Sequence, residues 1–152
     1  MVIDNNGTIT RARITIVPAR PDIFNTAGTP TAGGRAKVLN VTNRVFTHEP
    51  FVAHTIKVKG PVRVETVLRV FLTGVANTSA AVVSVRIGSL NIPSTRVLTG
   101  GTLVEPGVYT IDFTLPPEAN GLGDQPIIVT VTANGISFSS RLDDTAARIR
   151  IL

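Results

Sequence analysis

His48 and His54 are the side chains in this 152-residue chain best suited to ligate a metal or move a proton. They stand in His48-Glu49-Pro50-Phe51-Val52-Ala53-His54. A zinc-protease motif needs two histidines one helical turn apart with a glutamate base between them. Here the separation is longer, and Pro50 stops any helix that could align the pair. The residues therefore read as a polar loop and a strand position, with no metal ligand. Asp4-Asn5-Asn6-Gly7 opens like a calcium loop but lacks the distal bidentate Glu, and a hairpin turn accounts for it better. Asp143-Asp144 is a single acidic pair, too little for a cation site. Ser137, Ser139 and Ser140 have no histidine or carboxylate at nucleophile spacing, and no Gly-x-Ser-x-Gly occurs. Gly33-Gly34 and Thr99-Gly100-Gly101 are not followed by Lys-Ser/Thr, so they read as turns rather than phosphate cradles. The ten acidic residues lie mostly in turns or beside arginine and offer no pair for glycoside cleavage. Cysteine is absent, which excludes a thiolate nucleophile, a disulfide scaffold, an iron–sulfur cluster and Cys-ligated zinc. The expectation is a non-enzyme with no metal and no cofactor.

Charge is the remaining chemistry. Fifteen basic residues face ten acidic ones, and the sequence pI is near 10.7. Arginine dominates but is scattered along the chain. Aromatics are 5%, with no Trp and a single Tyr. Nucleic-acid binders usually cluster their basic residues and supply rings for base stacking, so the pattern argues against a nucleic-acid partner. Arg63, Arg69, Arg148 and Arg150 fall on outward faces of expected strands, which makes them the candidate contacts to an anionic polymer. The bland reading of the same residues is solubility and blunted strand edges.

The elements that position these residues read as strands. Val, Ile and Thr make up about a third of the chain, and their branched Cβ atoms suit a pleated surface. No segment keeps a helical period with caps at both ends. Alternation is clear in Arg11–Ile16, where Ala12, Ile14 and Ile16 share a face. It recurs over Val62–Val70, Ala81–Gly88, Val108–Leu115, Ile127–Ala133, Ile136–Leu142 and Arg148–Leu152. Half-buried alternating strands at short intervals predict an all-β, antiparallel, immunoglobulin-like β-sandwich. Asn134-Gly135 predicts a tight hairpin, Val104–Gly107 a turn into a strand, and Leu115–Asp124 a long loop with one helical turn. No apolar run approaches the roughly 18 residues of a membrane helix. The opening Met1-Val2-Ile3-Asp4 does not read as a signal peptide, so a signal is expected to lie outside this chain. Asn6, Asn40 and Asn77 each begin an Asn-x-Ser/Thr triplet.

Val2–Thr10 and Val131–Ser137 echo each other: a strand reaches Asn-Gly, turns, and leaves through alternating residues. Residues 1–17 are accordingly read as an N-terminal hairpin, the tail of a preceding module or a donor strand. Residues 18–44, opening with the stiff Pro18-Ala19-Arg20-Pro21, are read as linker and loop, and 45–152 as the sandwich. A lone hairpin is marginal in water, so it must dock, and strand addition to a neighbour is one route.

Ile16-Val17-Pro18-Ala19-Arg20-Pro21-Asp22-Ile23-Phe24, a Gly/Thr loop and Ala36-Lys37-Val38-Leu39-Asn40 resemble a module of large exported acidobacterial proteins. The likeness continues at Val70–Val75, Val83–Gly88, Pro106–Pro116 and Gly123–Val129. Asp22 and Ser89 stand where that module carries glycine, and 45–67 follows its pattern poorly. These positions are turn and core positions. The resemblance implies an immunoglobulin-like sandwich, usually repeated, in exported or surface proteins, and it carries no catalytic residues across.

The functional expectation is a non-catalytic, extracellular or cell-surface structural or adhesive module. Its sharper form is a filament subunit assembled by strand addition, with Ala12, Ile14 and Ile16 as the burying residues. The partners are then other copies of the chain or neighbouring modules, with no membrane span. The alternative is a binding module for an anionic polysaccharide, such as a surface glycan, or for nucleic acid.

Overall fold

The computed structural model describes residues 2–5, 8–11, 15–28, 33–56 and 62–152. Fourteen strands are assigned among them. They run β1 (Val2–Asn5), β2 (Thr8–Arg11), β3 (Asp22–Ile23), β4 (Val38–Asn40), β5 (His54–Ile56), β6 (Arg63–Glu65) and β7 (Val67–Thr73). They continue through β8 (Val83–Ile87), β9 (Leu90–Ile92), β10 (Val97–Glu105), β11 (Val108–Thr114), β12 (Gly123–Ala133), β13 (Ile136–Ser139) and β14 (Arg148–Ile151). Helical geometry among the described residues is confined to short 3₁₀ turns, one of them Pro117–Ala119 in the expected 115–124 loop.

The chain forms an immunoglobulin-like sandwich of two antiparallel five-stranded sheets. In the first, the order is β10-β11-β7, and β3 and β4 take successive lengths of the far edge of β7. In the second, the order is β9-β8-β12, and β13 and β14 likewise share the far edge of β12. The alternation seen in the sequence is what builds the core. β7 buries Leu68, Val70 and Leu72, β11 buries Ile111 and Phe113, β8 buries Val83, Val85 and Ile87, and β12 buries Ile127, Val129 and Val131. These faces meet in one cluster joined by Ile149 and Ile151. At roughly 25 cal/mol per Å2 of apolar surface removed from water, such side chains supply the main drive for folding. Asn134 (φ 52°) and Gly135 (φ 75°) both sit in the left-handed region, the geometry a two-residue type I′ hairpin needs.

Three stretches differ from the sequence reading. Residues 18–44, expected as linker and loop, contribute β3 and β4 to the first sheet and Ala19, Ile23, Ala36 and Val38 to the core. Their Gly and Pro content hides two very short strands whose partners are more than 25 residues away in the chain. The expected strand 62–70 is two strands, broken at Thr66. There the Thr66 N–H donates to the Ala53 carbonyl at 2.9 Å, and its own carbonyl accepts from the Leu115 N–H at 2.8 Å. The chain before this point leaves the sandwich, and β6 pairs with β5 in a separate two-stranded ribbon. Finally, of the expected strand Arg11–Ile16, residues 12–14 lie outside the described residues, and Thr15–Val17 belong to no described strand.

In the opening pair Asn5 faces Thr8, as Ala133 faces Ile136 in the late hairpin, and the expected turn at Asn6-Gly7 lies outside the described residues. β1 and β2 pair only with each other among the described residues.

Candidate functional site

The edges of the sandwich and the cations around them carry the features most open to recognition. β10 ends the first sheet. Its middle is covered by the 75–80 loop, with the Gly101 N–H donating to the Thr78 carbonyl at 2.8 Å. A Cβ on Gly101 would lie 1.9 Å from the Val75 carbonyl oxygen, so only glycine permits this approach. On either side of that cover Leu98, Leu103 and Val104 are more than half exposed.

The outer edge of β14 is closed differently. Residues 34–36 and Phe51 run alongside it in parallel, through bridges Arg35–Arg148 and Phe51–Ile151. An ionic clasp staples these pieces down. Arg35 forks onto Glu49, with Nε to Oε1 at 2.7 Å, and also reaches Asp124. Arg148 binds the same Asp124 carboxylate at 2.6 Å, and Glu49 accepts the Arg150 backbone N–H at 2.9 Å. The hydrogen bonds from Arg35 hold the Glu49 and Asp124 carboxyls below the usual carboxylate range, against some desolvation. The Arg35 guanidinium is raised in turn, chiefly by Glu49.

The four candidate arginines divide. Arg69 is held by Asp112 directly across the β7–β11 pair, in a bidentate contact of 2.8 and 2.7 Å that raises its guanidinium. Arg148 belongs to the clasp. Arg63 and Arg150 are exposed and form no ion pair with a described residue. Arg86, Arg96 and Arg141 are also carboxylate-paired, with Asp143, Glu65 and Asp22. Half of the twelve arginines in the sequence are therefore matched to carboxylates of the same chain. Of the three candidate assembly residues, Ala12 and Ile14 lie outside the described residues. Ile16 is 92% exposed, an apolar side chain almost wholly in water.

The other candidates settle into structural roles. Ser140 is buried, and its hydroxyl accepts the Val129 N–H at 3.0 Å, so it is bound to the backbone. Ser137 and Ser139 pair with Thr132 and Thr130 across β12 and β13. Asn40 is buried with both ends of its amide engaged, by the Thr42 N–H and the Thr55 hydroxyl. The described residues contain no group of three His, Cys, Asp or Glu that could hold a metal. His54 stands on β5 and lines a cleft with Val52, Arg63, Pro117 and Asn120.

Sequence reasoning missed Arg35, Glu49 and Asp124. Arg35 sits 14 residues from Glu49 and 89 from Asp124, so no local spacing signals the clasp. Comparison of the chain with protein-family models, curated proteins and solved structures returns no match.

Proposed function

We propose that this protein is a non-catalytic structural or adhesive β-sandwich at the cell surface or beyond, and that copies of it join through the N-terminal segment. The observation that carries the reading is the arrangement of residues 2–17. Among the described residues β1 and β2 pair only with each other, and Thr15–Val17 belong to no strand, with Ile16 in water. An apolar side chain exposed in this way, beside a strand pair with no other described partner, is suited to burial by strand addition to a neighbour. The end of β10, with Leu103 and Val104 exposed, is a strand edge that can receive one. The exported setting rests on the resemblance to the acidobacterial module.

Light scattering after size-exclusion chromatography, with negative-stain microscopy of the same fraction, tests this. Oligomers or filaments are expected from the full chain, and a folded monomer from the chain lacking residues 1–17. A full-length chain that stays monomeric at high concentration overturns the proposal.

A second reading, binding of an acidic polymer, is favoured by one observation: Arg63 lies in a cleft with no carboxylate partner among the described residues.

A further inference from the structure

We infer that the cleft between the β5–β6 ribbon and the Pro117–Asn120 turn binds the carboxylate or sulfate group of an acidic glycan, with Arg63 as its anchor. The inference deepens the second reading above and rests on it.

β5 and β6 pair as His54–Glu65, Thr55–Val64 and Ile56–Arg63. Opposed residues of an antiparallel pair share a face, so Thr55 lies on one face and His54 and Arg63 on the other. Thr55 faces inward: its hydroxyl bonds the buried Thr66 hydroxyl at 2.7 Å and accepts from the Asn40 amide at 3.1 Å. Ala53, just before β5, is fully buried. The base of the ribbon is therefore anchored at Ala53, Thr55 and Thr66, and the opposite face carries His54, Glu65 and Arg63.

Pro117, Asn120 and Val52 complete the described lining of the cleft. Its polar groups are a guanidinium with five donors, an amide with two and an imidazole. The nearest acid on the ribbon, Glu65, is held by Arg96 at 3.1 Å and does not line the cleft. Glu118, on the neighbouring turn, is exposed and is not part of the lining either. A cleft that holds a guanidinium and no carboxylate among its described lining residues is complementary to an oxyanion, and the planar fork of arginine matches a carboxylate or sulfate with two parallel bonds. Val52 and Pro117 offer apolar surface for the C–H face of a sugar ring. No aromatic ring for stacking bases is among the described lining residues, which favours a glycan over single-stranded nucleic acid.

The test is isothermal titration of the full chain at low salt with three probes. They are polygalacturonate oligosaccharides (carboxylate), heparin oligosaccharides (sulfate) and neutral dextran, with oligodeoxythymidine in a parallel arm. Binding to one or both acidic glycans, and not to dextran, is expected, and the stronger of the two identifies the group. Arg63→Ala should weaken it about tenfold or more, the scale of one charge-assisted contact. Arg63→Lys should fall between, because it keeps charge without the fork. Arg20→Ala removes the same charge beyond the opposite end of β7, where the Arg20 N–H meets the Gly74 carbonyl, and should change affinity by less than about twofold. Unchanged melting curves for these surface variants would show that the fold is intact. Equal losses from Arg63→Ala and Arg20→Ala would overturn the site while leaving acidic-polymer binding in place. No binding to either acidic glycan would overturn both. Tighter binding of the oligonucleotide than of either glycan would overturn the assignment of ligand class.

Discussion

At the scale of single residues, close backbone approach and buried polar satisfaction make the sharpest demands. Gly101→Ala places a Cβ against the Val75 carbonyl oxygen. The expected outcome is a loss of at least about 2 kcal/mol, read by urea denaturation, with the 75–80 loop released from β10. Asn40→Ala leaves the Thr42 N–H without its buried acceptor and the Thr55 hydroxyl without its donor. It should cost about 1–3 kcal/mol in the same measurement. Neither role was legible in the sequence. Gly101 read as an ordinary turn glycine and Asn40 as the start of a glycosylation triplet, because a residue's tertiary neighbours leave no trace in its local pattern. Ile16 was legible as apolar and alternating. That its side chain lies in water follows only from the arrangement of the strands around it.

The strands show why some elements were readable and others were not. β7 and β8 alternate cleanly because one face of each meets the core, and the period of two survives in the sequence, whereas β11 and β12 also bury consecutive residues, at Thr110–Phe113 and Ile127–Val129. β3 and β4 have two and three residues, too few for a period, and their assignment rests on distant partners in β7. The break at Thr66 was hidden for another reason. Alternation continues through it while the hydrogen-bonding partners change, and side-chain pattern does not report partner choice. The clasp along β14 is an element-scale device with an acid signature. Glu49 and Asp124 have native pKa values below their unfolded values. Their contribution is thus fully present above the unfolded carboxyl range near pH 4 and is lost as pH falls through the native values. Denaturation followed by circular dichroism should therefore show a stability decline below about pH 4. That decline should be shallower in Arg35→Ala. At neutral pH this variant should lose only about 1 kcal/mol, since the groups are partly exposed and screened, which lowers Tm by about 2–4 °C.

For the whole molecule, the fold class was legible and the domain boundary was not. Expecting the sandwich to start at 45 treated Gly and Pro as marks of a linker. In fact Ala19 and Ile23 already belong to the core, so a chain cut at 45 would expose the β7 edge that β3 and β4 cover. Deleting residues 1–17 should leave Tm within about 2 °C of the full chain, whereas deleting 1–44 should abolish the cooperative transition in calorimetry. Ile16→Asp gives the milder probe of assembly, since so exposed a side chain can be charged without disturbing the fold. Oligomers should then dissociate at lower dilution while Tm holds. The parallel lane along β14 carries one more consequence, in mechanical terms. Ala36 and Arg148 exchange bonds with Arg148 and Gly34, and Phe51 with Arg150 and Leu152, so the early chain is sewn lengthwise to the last strand. Tension drawn between the two ends of the sandwich loads these bonds in shear, together with the Arg35 clasp, and they must yield as a group instead of unzipping one after another. A chain of such units would resist stretching at the seam between residues 34–51 and β14.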